Sequence, residues 1–546
     1  MEQIADVLVI GGGIAGVTTA LALLDSGYRV TLLDRDEQAN FGGLAREAFG
    51  GMFVVDSAEQ RRVGIRDTPE LAYQDWCAFA EFGENELWPK RWAQAYVERC
   101  TSDVYAWLKD RGVRYFPVPN WVERGQYRPG NSVPRFHMVW GTGQALMDVL
   151  IAALERHPQR QRLQLRFGHR VTGLLREAGH ICGCHGQTEQ DGRAFEFRSD
   201  AVVIAAGGIN GNLARVREHW HGDWGRAPDM LLNGSHRFAD GTLHDAAQAY
   251  GAQVTHLDRM WNYAAGVRHF APRKPDHGLS LVPPRSALWL DWQGRRFGPE
   301  PLITGFDTRE LIRRICATER PYSWQLLNRR IALKELAVSG AEFNPSIRQK
   351  KWLAFLCDIL FGNRWLVDTL TQHCPDFVVA DTLPELVVRM NTLQGDGSVS
   401  RAAVEQAVAG YDAQLDRPPS LMNDEQLRRL DYLRRYRGDR VRTCHRQKIV
   451  DPAAGPLIAI RESIISRKSL GGLQTDLQCR VLDDGGQPIG GLYAVGEAAG
   501  FGGGGMHGLR ALEGTFLGGC VLTARVAAAS LAGKPMLSDP SGGPMC

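Results

Sequence analysis

The 11 cysteines of this 546-residue chain form no CxxC pair, and only Cys182 and Cys184 stand close together. That spacing excludes a zinc knuckle, a CxxCH haem attachment and a disulfide framework, and an odd scatter of thiols points to a reducing compartment. No apolar run approaches the roughly 20 residues that cross a bilayer, so no transmembrane helix is expected. A basic n-region and twin arginines are missing from the first residues, and the terminal Cys546 does not match a CaaX box. A cytoplasmic protein without a signal peptide is therefore expected. A net charge of +3 is too small to argue for nucleic acid or an anionic membrane from bulk electrostatics. No internal repeat is visible, no second glycine-led strand–turn–helix unit for NAD(P)H is expected, and no residue cluster has metal-ligand spacing.

What remains is ordinary globular composition, 44% hydrophobic and 23% charged, in a chain too long for one core. Its organising stretch runs from Ala5 to Asp34. The apolar run Asp6–Ile10 meets Gly11, Gly13 and Gly16. A helical pattern follows through Ile14, Ala15, Val17, Ala20 and Leu24, then Gly27 and a second apolar run, Val30–Leu33. Strand, glycine turn, helix and strand make the dinucleotide-binding βαβ unit. Gly11 allows the tight turn, Gly13 lets N–H groups approach a pyrophosphate, and Gly16 lets the helix lie close on the strand. The phosphates belong at the positive end of the helix. Asp34 closes the second strand about 20 residues on, where a carboxylate accepts bonds from ribose hydroxyls; Arg35 follows it. An acid at that position argues against a 2′-phosphate.

Farther along, Gly42-Gly43-Leu44 and Gly50-Gly51 suggest backbone pressed against something flat or phosphorylated, or a flexible loop. Residues 67–112 are expected to be helical, with Trp76, Phe79, Trp88, Trp92, Tyr96 and Trp107 as core. Arg135 and His137, beside Gly141-Thr142-Gly143, either line a pocket or belong to a capping turn. An antiparallel meander is expected over 163–198, then a buried strand ending in Ala205-Ala206-Gly207-Gly208. From about 230 to 450 the style changes to Trp, Arg and Pro, with polar clusters at Trp261-Asn262-Tyr263, Gly294–Phe297 and Asp307-Thr308-Arg309. Charged helices are expected at 324–360 and 398–437. The glycine-rich style returns with Lys468–Leu473, Gly491–Glu497 and Gly500–Gly519, before an alanine-rich helix, 521–531.

Together the opening unit, the Gly42–Gly51 loop, Ala205–Gly208 and Gly491–Glu497 resemble the fumarate reductase/succinate dehydrogenase flavoprotein superfamily, most closely bacterial FAD-binding dehydrogenases near the 3-ketosteroid dehydrogenases. The resemblance implies an α/β fold with a Rossmann-like, glutathione-reductase-type FAD domain formed by both chain ends (1–230 and 450–546) and an inserted α+β cap, 231–449. It implies non-covalent FAD, since residues 41–51 contain no histidine to carry the flavin. Gly11, Gly13, Ile14, Ala15, Gly16, Asp34 and Arg35 would hold the ADP half, and Val171 would touch adenine. Gly42, Gly43, Leu44, Gly50, Gly51, Ala205, Ala206 and Gly207 would run beside pyrophosphate and isoalloxazine. Gly496 and Glu497 would meet the ribityl or pyrophosphate region, and Gly514, Thr515 and Leu517 would offer N–H groups to the pyrimidine edge.

The activity implied is hydride transfer between flavin and a CH–CH bond beside a carbonyl or carboxylate. Flavin oxidase or monooxygenase, and a non-catalytic FAD-binding protein, are the alternatives. After His507-Gly508 this chain has Arg510 where the steroid enzymes have tyrosine, and a planar guanidinium suits carboxylate. Lys468-Ser469-Leu470 replaces the fumarate reductases' histidine-bearing run. Arg510, Tyr263, His137, Arg309 and Lys468 are the catalytic candidates, with a structural ion pair of Arg510 to Glu513 or Glu497 the competing reading. A small-molecule substrate and a separate electron acceptor are expected; the sequence leaves the oligomeric state open.

Overall fold

The computed structural model describes residues 5–537. The chain divides into two compact units, the first made of the N-terminal part to His219, Ser235–Trp261 and Arg467 onward, the second of Trp220–Gly234 and Asn262–Ser466. Breaks expected after 230 and after 449 both fall inside the second unit. The cause is the strand Leu457–Ser469, which pairs with Tyr322–Asn328 from Tyr322↔Ser463 to Asn328↔Leu457. A strand so fully hydrogen-bonded into the inserted segment moves the return crossing to its far end.

In the first unit an eight-stranded sheet runs Arg480–Leu482, Pro488–Ala494, Ala194–Ile204, Ala5–Ile10, Val30–Leu33, Leu163–Arg166, with His169–Glu177 and His180–Thr188 as the meander beside it. The central neighbours are parallel, in registers such as Ile10↔Leu33, Val9↔Val203 and Leu492↔Val202. Parallel strands buried on both faces are continuous in apolar side chains, and Leu8, Val9, Leu32, Leu33, Val202 and Ile204 have no solvent exposure. The helices Ile14–Asp25 and Thr515–Leu531 pack together, so residues about 500 positions apart share one layer. Trp76, Phe79, Trp92 and Tyr96 lie in the core, as their spacing suggests; Trp88 is half-buried. The segment Ser235–Trp261 returns to this unit through the helix Thr242–Gln248, whose buried His244 bonds the carbonyl of Ala498 at 3.1 Å.

The second unit has its own mixed sheet, ordered Leu288–Leu290, Tyr322–Asn328, Leu457–Ser469, Met260–Arg268, Gly278–Val282, Ala337–Val338. The helix expected from 324 instead begins as a strand. Trp324, Leu326 and Leu327 are fully buried there, and tertiary burial overrides the charge pattern that suggested a helix. Asn328 then caps Arg329–Glu335 by accepting the Ile331 N–H at 3.0 Å. The expected 398–437 segment holds two helices, Arg401–Leu415 and Glu425–Leu433, separated by Pro418-Pro419.

Candidate functional site

Gly11 leaves the first strand at φ +113°, and a Cβ on it would stand 2.4 Å from the carbonyl oxygen of Ala205. On Gly16 a Cβ would come within 1.8 Å of the Gly11 oxygen, so the helix lies directly on the turn. Gly12 is closed by Asp34, whose Oδ2 would be 2.1 Å from an added Cβ. Gly13 is different. An added Cβ would meet nothing within 4 Å, and φ −74° suits any residue. Neither contact nor backbone demands glycine there; what it provides is clearance in front of the helix Ile14–Asp25, which has no side-chain cap and no acid in its first turn. Gly13 forms a bridge with Gly42, and the Gly42 N–H donates to the Gly12 oxygen at 3.1 Å. Two glycine turns thus lie edge to edge at an uncapped helix start, the arrangement that binds phosphate. The Asp34 carboxylate accepts the Asp36 N–H at 2.8 Å. Burial raises its pKa, with bonds from the Asp36 and Gly12 backbone opposing.

The C-terminal segment meets this turn from the other side. Gly496 has φ +63°, and a Cβ there would be 2.8 Å from the Cβ of Ala15. The Glu497 carboxylate accepts the Ser469 N–H at 2.9 Å and would stand 2.6 Å from a Cβ on Gly208, which brings three glycine-bearing segments to one carboxylate. Burial raises the Glu497 pKa against the Ser469 N–H and the charge of Lys468. Burial lowers that of Lys468 against Glu513 and Glu497. The Lys468 ammonium sits 4.1 Å from the Phe516 ring centroid. Gly514, at φ +99°, opens the helix Thr515–Leu531, again without a side-chain cap or a first-turn acid. Its oxygen accepts the Phe53 N–H at 2.8 Å.

Beneath that helix start lies His507, fully buried. Its Nε2 is 2.7 Å from Thr515 Oγ1, and the Thr515 hydroxyl donates to the Leu512 oxygen at 2.8 Å. The hydroxyl has a single hydrogen, so the imidazole donates through Nε2, and Nδ1 becomes a buried acceptor with no hydrogen-bond partner among the described residues. Trp76 stacks on the ring at 5.7 Å, with Phe501 and Phe516 at 5.1 and 5.0 Å. Burial carries its pKa down to about 3. His507 was legible only as part of a motif, and no periodicity marked it for selection.

The structure gathers Gly11, Gly13, Gly16, Asp34, Gly42, Ala205, Gly496 and Glu497 within the first unit in the contacts just given, and a Cβ on Gly43 would stand 3.3 Å from the Gly13 Cα. Gly50 and Gly51 are explained by packing, since added Cβ atoms would stand 2.8 Å from the Gly143 nitrogen and 1.9 Å from the Phe136 ring. Val171 is buried under the sheet with Leu8, Ile10 and Leu33. Arg35 is engaged by Glu189 at 2.5 Å and Asp240 at 2.7 Å. The strand Phe136–Met138 carries His137, which is not at a surface. Its Nε2 meets Ser57 Oγ at 2.7 Å, its Nδ1 meets the Arg135 oxygen at 2.8 Å, and burial takes its pKa down to about 4. Arg510 is buried and pairs at 2.5 Å with Glu81, and Glu513 accepts the indole N–H of Trp261 at 2.8 Å. In the second unit Arg309 binds Asp223 at 2.9 Å and lies over Trp224, and Tyr263 stands on the strand Met260–Arg268.

These features fit an FAD. Two uncapped helix starts suit its anionic pyrophosphate and the negative pyrimidine edge of its reduced form, Asp34 suits the ribose, and the clearance at Gly13 suits a close phosphate. The chain matches the family model described as the FAD binding domain over residues 6–517. It is 43% identical over 544 residues to a KsdD-like steroid dehydrogenase of Mycobacterium tuberculosis (strain CDC 1551 / Oshkosh), covering 96% of this chain and 95% of that protein. A protein of the same name from Mycolicibacterium smegmatis (strain ATCC 700084 / mc(2)155) is 42% identical, covering 94% of this chain and 96% of its own length. Among solved structures, the open conformation of a flavocytochrome c3 fumarate reductase has a TM-score of 0.67 at 20% identity, covering 98% of this chain and 79% of that one. The 3-ketosteroid delta1-dehydrogenase of Sterolibacterium denitrificans also scores 0.67 at 16% identity, covering 97% and 99%. The helices of the described residues include none long and apolar enough to cross a membrane. With the family matched across nearly the whole chain and its cofactor fitted by the cradle, this chain belongs to the FAD-binding flavoprotein family that includes the KsdD-like steroid dehydrogenases and is an FAD-dependent oxidoreductase.

Proposed function

We propose that the enzyme desaturates a CH–CH bond next to the carbonyl of a steroid-like cyclic ketone, with non-covalent FAD as the hydride acceptor. The observation that carries this choice over a carboxylate substrate is the buried ion pair of Arg510 with Glu81 at 2.5 Å. That pair occupies part of the guanidinium's donor set and leaves less of it for a substrate carboxylate. The relatives named as steroid dehydrogenases, at 42–43% identity over nearly full length, support the same class.

Bound FAD supplies the two-electron acceptor at which hydride arrives. The chain's own groups do the rest. N–H groups at the start of Thr515–Leu531 stabilise negative charge on the pyrimidine edge. His507 holds Thr515 in place, Asp34 orients the ribose, and Lys468 adds positive charge near Phe516. The substrate loses a hydride from one carbon and a proton from its neighbour. That proton leaves to solvent. Electrons leave to a separate acceptor.

The test is anaerobic mixing of the oxidised holoenzyme with 4-androstene-3,17-dione, following bleaching of the flavin band. Bleaching with formation of a new C=C bond is expected. Failure to bleach, combined with reoxidation of the reduced enzyme by fumarate, would overturn the ketone reading in favour of carboxylates.

A further inference from the structure

The helix Trp352–Phe361 of the second unit, WLAFLCDILF, has no buried residue. A helix apolar on all sides is normally packed on all sides, yet Leu353 is 78%, Leu360 70% and Phe361 71% exposed. These residues and exposed Cys357 fall at i, i+4, i+7 and i+8, which is one stripe along the outer face. The helix's one charged residue, Asp358, points the other way and accepts a bond from Ser346 Oγ at 2.8 Å. Half-exposed tryptophans stand at both ends, Trp352 and Trp365. Cations flank the stripe as well: Arg348, Lys350 and Lys351 before it and Arg364 after it.

We propose that this helix docks the protein on an anionic lipid surface, lying in the plane of the headgroups with the Leu353–Phe361 stripe in the acyl boundary. Ten residues make about 15 Å of helix, too short to span and suited to lie flat. Aromatic rings at the ends sit at headgroup depth, and lysine and arginine stems run along apolar surface while their charges meet phosphate. The charge pattern decides for lipid over a second copy of this chain. A twofold contact through this stripe would bring like cations at its two ends toward each other, whereas an anionic surface neutralises them. The small net charge of the whole chain conceals this local excess of four cations over one acid between 345 and 365.

Flotation of the full-length holoenzyme with phosphatidylglycerol/phosphatidylcholine vesicles, against phosphatidylcholine alone, tests this. Binding is expected to be about tenfold tighter to the anionic vesicles and to weaken with added salt. The Leu353→Glu/Phe361→Glu double variant is expected to lose about tenfold or more of that binding with its flavin spectrum unchanged. An environment-sensitive dye on Cys357, with Cys357→Ser as the labelling control, is expected to shift to the blue on vesicle addition. Absence of flotation, equal flotation of the double variant, or an unshifted dye would each overturn the proposal. So would a wild-type dimer that ignores vesicles and becomes monomeric in the double variant, because it would assign the stripe to a second copy.

Discussion

Arg135 keeps its charge at zero exposure by meeting two acids: Asp67 through paired bonds of 2.8 Å, and Asp75 at 2.5 Å, with Asn131 Oδ1 at 3.0 Å. The acids are tied further, Asp75 by the N–H and hydroxyl of Ser132 at 2.8 and 2.7 Å and Asp67 by Gln60 at 2.9 Å. Removing the arginine leaves two buried carboxylates facing each other, so Arg135→Met is expected to destabilise the protein by about 3–5 kcal/mol. Arg226 pairs with Asp229 where both side chains are more than four-fifths exposed, and Arg226→Ala is expected to change stability by less than about 0.5 kcal/mol. Urea unfolding of the two variants checks the contrast; equal midpoints would remove the buried network from the account. Sequence spacing placed Arg135 beside a possible pocket and the family resemblance made Arg510 a catalytic candidate, and both are engaged by carboxylates inside the protein. Glu81, which pairs with Arg510, is 429 residues away, and no local pattern reports a pairing at that separation.

At the scale of elements, the glycine turn separates structural glycines from the one whose clearance serves a ligand. A side chain at Gly11 would strike backbone at 2.4 Å, whereas one at Gly13 would strike nothing within 4 Å. Serine at Gly13 suits the extended N-cap backbone and can accept the helix's first N–H groups, so Gly13→Ser is expected to hold or slightly raise the stability of the FAD-free protein. The same hydroxymethyl group occupies the approach to the helix start and competes for its donors, and FAD affinity is expected to fall by about tenfold or more. Titration of FAD-free protein with FAD, beside urea unfolding of the same samples, measures both. Unchanged affinity would show that phosphate does not approach Gly13. This element was legible because strand, turn and helix are local and each glycine has a local task. The strand Tyr322–Asn328 was not, because its partners lie at 288–290 and 457–463 and its pattern made sense only once they were known.

Across the whole first unit, three histidines are buried and neutral: His137 and His244, each with a pKa drawn down to about 4, and His507, drawn down to about 3, in every case mainly by burial. The unfolded chain titrates them near 6.5. Between the folded and unfolded values the unfolded state binds more protons, so stability rises with pH and is lost as pH falls from about 6.5 toward 4. Each such group contributes at most about 1.4 kcal/mol per pH unit. Glu497 acts with the opposite sign: burial raises its folded pKa, and its protonated form favours folding as pH drops. The three histidines outweigh Glu497 near pH 5.5, so stability is expected to fall as pH drops through that region. Denaturant midpoints at pH 7.5, 6.5, 5.5 and 5.0 are expected to stay nearly level over the first interval and to fall steeply over the others. Saturating FAD adds a stabilising term that raises the curve without moving the window set by His137. His137→Asn keeps a donor toward the Arg135 oxygen while removing the titration, and is expected to remove about a third of the histidines' contribution to the acid limb. A profile level from pH 7.5 to 5.0 would mean that these imidazoles take up protons in the folded protein, and the neutral, Nε2-donating His507 beneath the helix start would have to be abandoned with them.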